Sequence, residues 1–183
     1  MSERGYKIRN QQGLHFITFA VVEWVDVFTR QQYRDILIES LEYCIKHKGL
    51  NLHAWVIMSN HVHFIMSAKE EFMLSDILRD FKKFTSIKII EAIKNNPYES
   101  RKDWMLTIFK TKGKENTRNS TYQFWRQDNQ PKELTDNTMI EQRLNYIHNN
   151  PIESGIVEKA EDYLYSSAKD YCGEQGLLKV ELI

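Results

Sequence analysis

The stretch that decides the fold is HAWVIMSNHVHFIM, residues 53–66, in which Ser59 and Asn60 separate two apolar runs. Each run is short and rich in β-branched and aromatic residues, which predicts two strands joined by a tight turn. Side chains at i and i+2 of a strand point to the same face, so we expect His61 and His63 to project together. Two imidazoles placed in this way can share a divalent cation.

Hydrophobic periodicity predicts the other elements around this hairpin. Thr29 suits the N-cap of the first helix and Gly49 its end. Thr135 or Asp136 suits the N-cap of the third helix, which Pro151 is expected to end. The predicted order is a strand at 15–22, a helix at 29–48, strands at 52–58 and 61–66, a helix at 75–94, a strand at 121–128 and a helix from 135 to 149.

This order predicts an α+β fold, a ferredoxin-like antiparallel sheet with helices packed on one face. A chain of 183 residues with 42% hydrophobic content suits a single domain over 1–183. Within it we expect a flexible arm at 1–12, a loop excursion at 98–118 where periodicity is weak, and a C-terminal extension at 152–183 packed on the domain.

Composition excludes several classes of protein. The chain carries 25 basic and 25 acidic residues, so a nucleic-acid surface has to come from local clustering. Such a cluster is RDFKKFTSIK, residues 79–88, with four cations and one acid. No apolar run approaches the roughly 18 residues of a membrane span, and the amino terminus lacks a secretory apolar core. With two cysteines outside any metal-type spacing, we expect a cytoplasmic protein with no disulfide framework and no membrane partner.

The second chemical feature is LNYIHNNP, residues 144–151, in which Tyr146 and Asn150 are four positions apart. On a helix this spacing puts both side chains on one face. If that face lies over the histidine pair, Asn150 can supply a third, neutral metal ligand and the Tyr146 phenol can attack phosphorus. Residues two apart point to different sides, so His148 is not assigned as a base. Two alternatives stay open: histidines exposed on the sheet without metal, and a tyrosine ring packed in the core.

Together these motifs resemble a known family. Residues 53–66 resemble the HUH segment of the single-tyrosine HUH transposases. FWRQDNQP at 124–131, followed by LNYIHNNPIESGIVEKAEDYLYSSA at 144–168, resembles the branch of REP-associated tyrosine transposases. The resemblance extends over about 13–168 and departs at Ser59, where many members carry proline. A serine still suits a tight turn.

The resemblance implies a ferredoxin-like α+β fold and the cleavage of single-stranded DNA, often beside a foldback hairpin, with Mg²⁺ or Mn²⁺ as cofactor. It makes His61 and His63 metal ligands, Asn150 the third ligand and Tyr146 the nucleophile. Cleavage would leave a 5′-phosphotyrosine and a free 3′-hydroxyl. Whether the chain acts as a monomer or as a homodimer stays open.

A basic helix face and an aromatic segment are the candidates for DNA contact. Basic side chains bind phosphates, and an aromatic ring beside a cation and an amide can stack on an unpaired base. The same residues also fit a solvated helix face and core packing. The candidates are Arg79, Lys82, Lys83, Lys88, Trp125, Arg126 and Gln127.

The leading hypothesis is a metal-dependent transposase that cleaves and joins single-stranded DNA through its tyrosine. A first alternative is a domesticated, non-catalytic nucleic-acid-binding module with the same fold, which would need none of the four site residues. A second is a structural-metal protein. It predicts that removal of the metal unfolds the chain, whereas the loss of a catalytic ion leaves the fold intact.

Overall fold

The computed structural model describes residues 8–116, 121–127 and 130–183. Its centre is a four-stranded antiparallel sheet in the order β2-β3-β1-β4. The strands are β1 His15–Ala20, β2 Leu50–Ile57, β3 His61–Ala68 and β4 Lys132–Glu133. The helices are α1 Gln31–His47, α2 Leu74–Asn95, α3 Lys102–Glu115, α4 Asn137–Glu153 and α5 Ala168–Tyr171, with 3₁₀ turns at Val22–Trp24, Val27–Thr29 and Ala160–Asp162. None of the described helices is long and apolar enough to cross a membrane.

The predicted hairpin of β2 and β3 is confirmed, including its turn. The Met58 amide donates to the His61 carbonyl at 2.8 Å, which closes the chain around Ser59 and Asn60. Because side chains alternate along β3, His61 and His63 point to one face of the sheet, and the residues between and after them point to the other.

Pairing with β1 extends both faces of the hairpin. Ile17 lies opposite Phe64 and Thr18 lies opposite His63. Directly opposed residues of antiparallel strands share a face. The sheet therefore has one face lined by apolar side chains such as Phe64 and a second face that carries the histidines and Thr18.

Helices cover both faces. Helices α1 and α2 pack against each other, and Phe81 of α2 contacts Phe19 and Phe64, with ring centroids 6.2 and 6.0 Å away. Helix α4 covers the histidine face, where Tyr146 contacts His63. The predicted α+β class with an antiparallel sheet is confirmed. The prediction placed all helices on one face of the sheet. Helices α1 and α2 lie on that face, whereas α4 packs on the other, and β3 is therefore buried on both of its faces.

The loop expected at 98–118 is wrong, because Lys102–Glu115 forms helix α3. Only Met105, Phe109 and Gly113 are buried, one per turn, so the apolar stripe is too narrow to give strong periodicity. Gly113 permits close packing at its position: a Cβ there would lie 2.6 Å from the Thr121 carbonyl oxygen. A helix with so small a core face is held by tertiary contacts more than by its own pattern.

The strand expected at 121–128 is also corrected. Trp125 makes a single bridge to Val21, and Asp128 lies outside the described residues. The fourth strand is instead Lys132–Glu133, inside the segment expected to be a connection. Phe124 and Trp125 are buried as core side chains and Tyr122 is partly buried, so the aromatic composition of this segment reflects core packing and not strand pairing.

The start of α4 and the end of α1 follow the prediction, whereas the start of α1 does not. The Asp136 carboxylate accepts from the Met139 amide at 2.9 Å, which confirms it as the N-cap of α4. Gly49, with φ +67°, follows the end of α1 as expected. Thr29 is not a cap, since α1 begins at Gln31 and the Thr29 hydroxyl donates to the Asp26 carbonyl at 3.1 Å.

Pro151 lies inside α4 and does not end it. A proline in the last turn of a helix removes one amide donor, but the carbonyls on either side of it can still accept hydrogen bonds from later amides. The Ser154 amide bonds to the Asn150 carbonyl at 3.0 Å, and the helix then stops before Gly155, with φ +69°.

The amino-terminal arm is corrected in part. Residues 1–7 lie outside the described residues, but Ile8 and Gln11 are buried. The Gln11 side chain donates to the Ile8 carbonyl at 2.8 Å and accepts from the Ser75 amide at 2.9 Å. This part of the predicted arm is therefore packed against the start of α2.

The segment after α4 runs along β2. The Ser167 amide donates to the Trp55 carbonyl at 3.0 Å, and the Ile57 amide donates to the Tyr165 carbonyl at 2.9 Å. Helix α4 joins this contact through His148, whose Nε2 lies 2.9 Å from the Ser167 hydroxyl. Burial lowers the pKa of His148 from 6.5 to about 4.

The neutral form of His148 stabilises this packing, which predicts a pH-dependent stability. As the pH falls from 6.5 to about 4 the unfolded chain takes up the proton first, so the free energy of unfolding decreases, by about 3 kcal/mol at most. In His148→Gln this decrease is expected to shrink. Urea unfolding between pH 7 and 4 measures it, with His47→Gln, a substitution of an exposed histidine, as the control. A wild-type pH dependence in His148→Gln would contradict the assignment.

Candidate active site

The two histidines of β3 are close together, and helix α4 covers one of them. The ring centroids of His61 and His63 are 4.8 Å apart. His63 is 5% exposed, and His61 is partly exposed at the end of the strand. Burial lowers the pKa of His61, which favours the neutral, metal-binding form of the ring.

The protonated nitrogen of His61 follows from its neighbour. The Asn60 side-chain amide donates to the Trp24 carbonyl at 3.2 Å, which turns its oxygen toward His61 Nδ1 at 2.7 Å. An amide oxygen only accepts, so Nδ1 carries the proton and Nε2 keeps its lone pair. A hydrogen bond of this kind orients a metal-ligating imidazole.

His63 is held in the same manner by β1. Its Nδ1 lies 2.8 Å from the Thr18 hydroxyl, while its Nε2 is buried and has no hydrogen-bond partner among the described residues. Burial, helped by the charge of Arg143 and by His61, lowers the pKa of His63 to about 3. A buried nitrogen without a partner costs stability, so it marks a place where a ligand is expected.

Tyr146 lies over His63. Their ring centroids are 5.0 Å apart with an interplanar angle of 68°. Phe16 of β1 stacks on His63 at 5.4 Å and meets Tyr146 edge-on at 6.0 Å, so one aromatic ring supports both. Tyr146 is 39% exposed, which leaves its phenol accessible to a substrate.

Asn150 lies one helical turn after Tyr146 and is buried. Within the described parts of the chain, no cluster of three His, Cys, Asp or Glu side chains could hold a metal ion. A metal on His61 and His63 would therefore take its remaining protein ligands from neutral oxygens. The side-chain oxygen of the buried Asn150 is a neutral donor of this kind, and it would add to the imidazole nitrogens of His61 and His63.

Arg143 is a member of the site that the sequence reasoning missed. Its guanidinium lies 4.8 Å from the centre of the Phe16 ring, and its charge acts on His63. It precedes Tyr146 by three residues, so the helical spacing that paired Tyr146 with Asn150 also places Arg143 on that face. A cation there can neutralise charge on a phosphate.

The basic residues expected to contact DNA lie on α2, behind the sheet from the histidines. Arg79 is paired with Asp76 at 2.6 Å and with Asp80 at 3.0 Å, and Lys88 lies 3.4 Å from Glu91. Because α2 packs on the opposite face of the sheet, its cations do not reach a phosphate that is bound at the histidine pair. Lys82 donates to the Arg126 carbonyl at 2.9 Å and lies 5.0 Å from the Phe19 ring, and Lys83 is exposed.

The aromatic segment divides into a core residue and two accessible ones. Trp125 is 3% exposed, stacks on Phe28 at 5.7 Å and donates its indole N–H to Thr85. This burial corrects the expectation that Trp125 stacks on a base. Arg126 is partly exposed, with its guanidinium 5.3 Å from the centre of the Trp24 ring, and Gln127 is exposed.

Comparison with known proteins places the chain in a family. The model of the family "Transposase IS200 like" matches residues 10–111. Among solved structures, a REP-associated tyrosine transposase bound to a REP hairpin aligns over 99% of this chain and 92% of that chain, with a TM-score of 0.65 and 16% identity. This likeness shows a common fold.

A crystal structure described as a candidate transposase from Deinococcus radiodurans R1 aligns over 81% of this chain and 96% of that chain, with a TM-score of 0.43 and 16% identity. No sequence among the curated proteins matches. The family model covers more than half of the chain, and the protein therefore belongs to the IS200-like transposase family.

Proposed function

We propose that this transposase cleaves and joins single-stranded DNA through a covalent 5′-phosphotyrosine on Tyr146. The observation that carries the proposal is the contact of Tyr146 with His63, 5.0 Å between ring centroids, beside a buried nitrogen that lacks a partner. A phenol that can attack phosphorus, in contact with an imidazole that can bind a metal ion, suits metal-assisted cleavage of a phosphodiester.

His61, His63 and Asn150 would hold the cofactor, Mg²⁺ or Mn²⁺. When bound, the ion polarises a non-bridging oxygen of the scissile phosphate and neutralises developing charge. Two imidazoles and one amide carry no negative charge and leave coordination positions open to a substrate. Thr18 and Asn60 orient the two rings through their Nδ1 atoms.

The reaction forms one bond to phosphorus and breaks another. The Tyr146 oxygen attacks, the bond between phosphorus and the 3′ oxygen breaks, and the phosphate stays on the tyrosine at its 5′ side. The phenolic proton passes to water, which reaches the exposed phenol, and the leaving 3′ oxygen takes up a proton. Arg143 offsets the added negative charge. Attack by another 3′-hydroxyl reverses the step and joins two strands without ATP.

The substrate is proposed to be single-stranded DNA next to a hairpin. The solved structure that covers 99% of the chain is a complex with a REP hairpin, and the two proteins share a fold. A single strand suits the site, because the phosphate must come close to the face of the sheet beneath α4.

The nucleophile is tested with Tyr146→Phe. This change removes only the hydroxyl, so the fold is expected to persist while the covalent product disappears completely. Wild-type protein is incubated with Mn²⁺ and a pool of labelled single-stranded hairpin DNAs, and adducts that survive SDS are separated by electrophoresis. Tyr43→Phe, at an exposed tyrosine of α1, is the matched control and should react like the wild type. An adduct that persists in Tyr146→Phe would reject the assignment.

Removal of metal distinguishes a catalytic ion from a structural one. We expect EDTA to abolish adduct formation and to lower the melting temperature by only a few degrees, since the buried apolar core keeps the chain folded without the ion. His63→Gln is expected to lower adduct formation at least 100-fold. Circular dichroism melts of wild-type protein with Mn²⁺ or with EDTA measure stability. A chain that unfolds in EDTA would indicate a structural metal.

Asn150 as a ligand is tested against its neighbour. Asn150→Ala is expected to weaken Mn²⁺ binding about 10- to 100-fold. Asn149→Ala, at an exposed position of the same helix, should leave binding unchanged. Titration of Mn²⁺ followed by its electron paramagnetic resonance signal gives both affinities. Equal affinities in the two variants would remove Asn150 from the ligand set.

A further inference from the structure

The indole ring of Trp24 is exposed next to the histidine pair. Its ring centroid lies 6.1 Å from that of His61, in an edge arrangement, and the residue is 52% exposed. Large aromatic side chains at this exposure lose the benefit of burial, and they are typical of binding surfaces.

The backbone holds Trp24 in a strained conformation. Glu23 and Trp24 have φ values of 52° and 54°, in the left-handed region, where a residue with a Cβ is disfavoured by about 1 kcal/mol or more. The Trp24 carbonyl accepts from Asn60, which also orients His61, and Glu23 pairs with Lys112 of α3 at 2.8 Å. The position of the indole is thus tied to the geometry of the candidate metal ligand.

A cavity of about 420 Å³ opens beside the ring. The Arg126 guanidinium lies 5.3 Å from the centre of the Trp24 ring. The side chains of Glu23 and Lys112 offer both a carboxylate acceptor and an ammonium donor at the cavity. Its lining residues are Val22, Glu23, Trp24, Lys112, Gln123, Arg126 and Gln127.

We infer that this cavity binds the nucleobase next to the scissile phosphate, stacked on Trp24. An aromatic face stacks on an unpaired base, and the amides and the carboxylate match the polar edge of a base. The Glu23 carboxylate disfavours a bare phosphate in the same place. Arg126 supplies charge for the backbone of the bound nucleotide. This inference rests on the proposed function, since the scissile phosphate is placed at His61 and His63.

The cavity also connects the site with the basic surface of α2. A second cavity, of about 480 Å³, shares Gln123 and Gln127 with the first and is lined as well by Arg79, Lys82 and Lys83. A DNA strand that leaves the histidine pair past Trp24 would therefore reach these cations around the end of β1. Trp24 takes the stacking role that the sequence had assigned to Trp125.

The test is a coupling experiment on DNA binding, which does not need cleavage. The probes are a labelled hairpin DNA with a single-stranded flank and a series in which one flank nucleotide at a time is abasic. Fluorescence anisotropy gives the Kd of wild type, Trp24→Ala, Trp24→Phe and Trp104→Ala. Trp104 is also 52% exposed but lies on α3, so it is the matched control.

We expect Trp24→Ala to weaken binding of the intact hairpin about tenfold, Trp24→Phe to restore most of it, and Trp104→Ala to change nothing. One abasic position should weaken the wild type about tenfold and have no further effect in Trp24→Ala. Additive losses at every position, or wild-type binding by Trp24→Ala, would overturn the inference. If Trp24→Ala and an abasic position are coupled but no covalent adduct forms, the base-binding subsite stands and the proposed cleavage is rejected. If an adduct forms but the two changes are not coupled, the cleavage stands and the subsite is rejected.

Discussion

The site depends on the antiparallel register between β1 and β3, which sets Thr18 opposite His63. A slip of one residue would turn both histidines toward the apolar face under α2 and would bring Phe64 to the other side. The register is fixed because each face has its own cover: aromatic residues of α2 on one side and α4 on the other. The same core packing that stabilises the sheet thus chooses which face carries the chemistry.

A cost in stability accompanies this arrangement. His63 is buried with one nitrogen unpaired, and an unmade hydrogen bond of this kind costs about 1 to 3 kcal/mol. Glu23 and Trp24 add backbone strain, and the Trp24 ring lies 6.1 Å from that of His61. Both costs fall near the end of β1 and the start of β3, and the core cluster is apolar. Binding of an ion would relieve the cost of the unpaired His63 nitrogen. The strained backbone would hold the Trp24 ring in place for a base.

The sequence predicted the parts of the site that local periodicity encodes. The hairpin, the common face of His61 and His63, and the pairing of Tyr146 with Asn150 follow from spacings of two and four. It missed Thr18 and Trp24, which join the site through contacts across 45 and 37 positions of the chain. It also assigned Trp125 to DNA binding, because the sequence of an aromatic residue next to a cation does not show whether the ring lies in the core or on the surface.

Helix α4 links Tyr146, the proposed nucleophile, to the C-terminal segment. Tyr146 faces the histidines, while His148, two positions later, faces the C-terminal segment and bonds to Ser167. Ser167 in turn accepts from the Trp55 amide of β2, so the strand paired with the histidine strand also fixes the helix. The distance between Tyr146 and His63 is therefore set from both sides of α4. In the proposed reaction, a residue far from the phosphate would change the rate of attack without touching the proposed metal ligands or the DNA, because a small shift of the helix would move the phenol out of line with phosphorus.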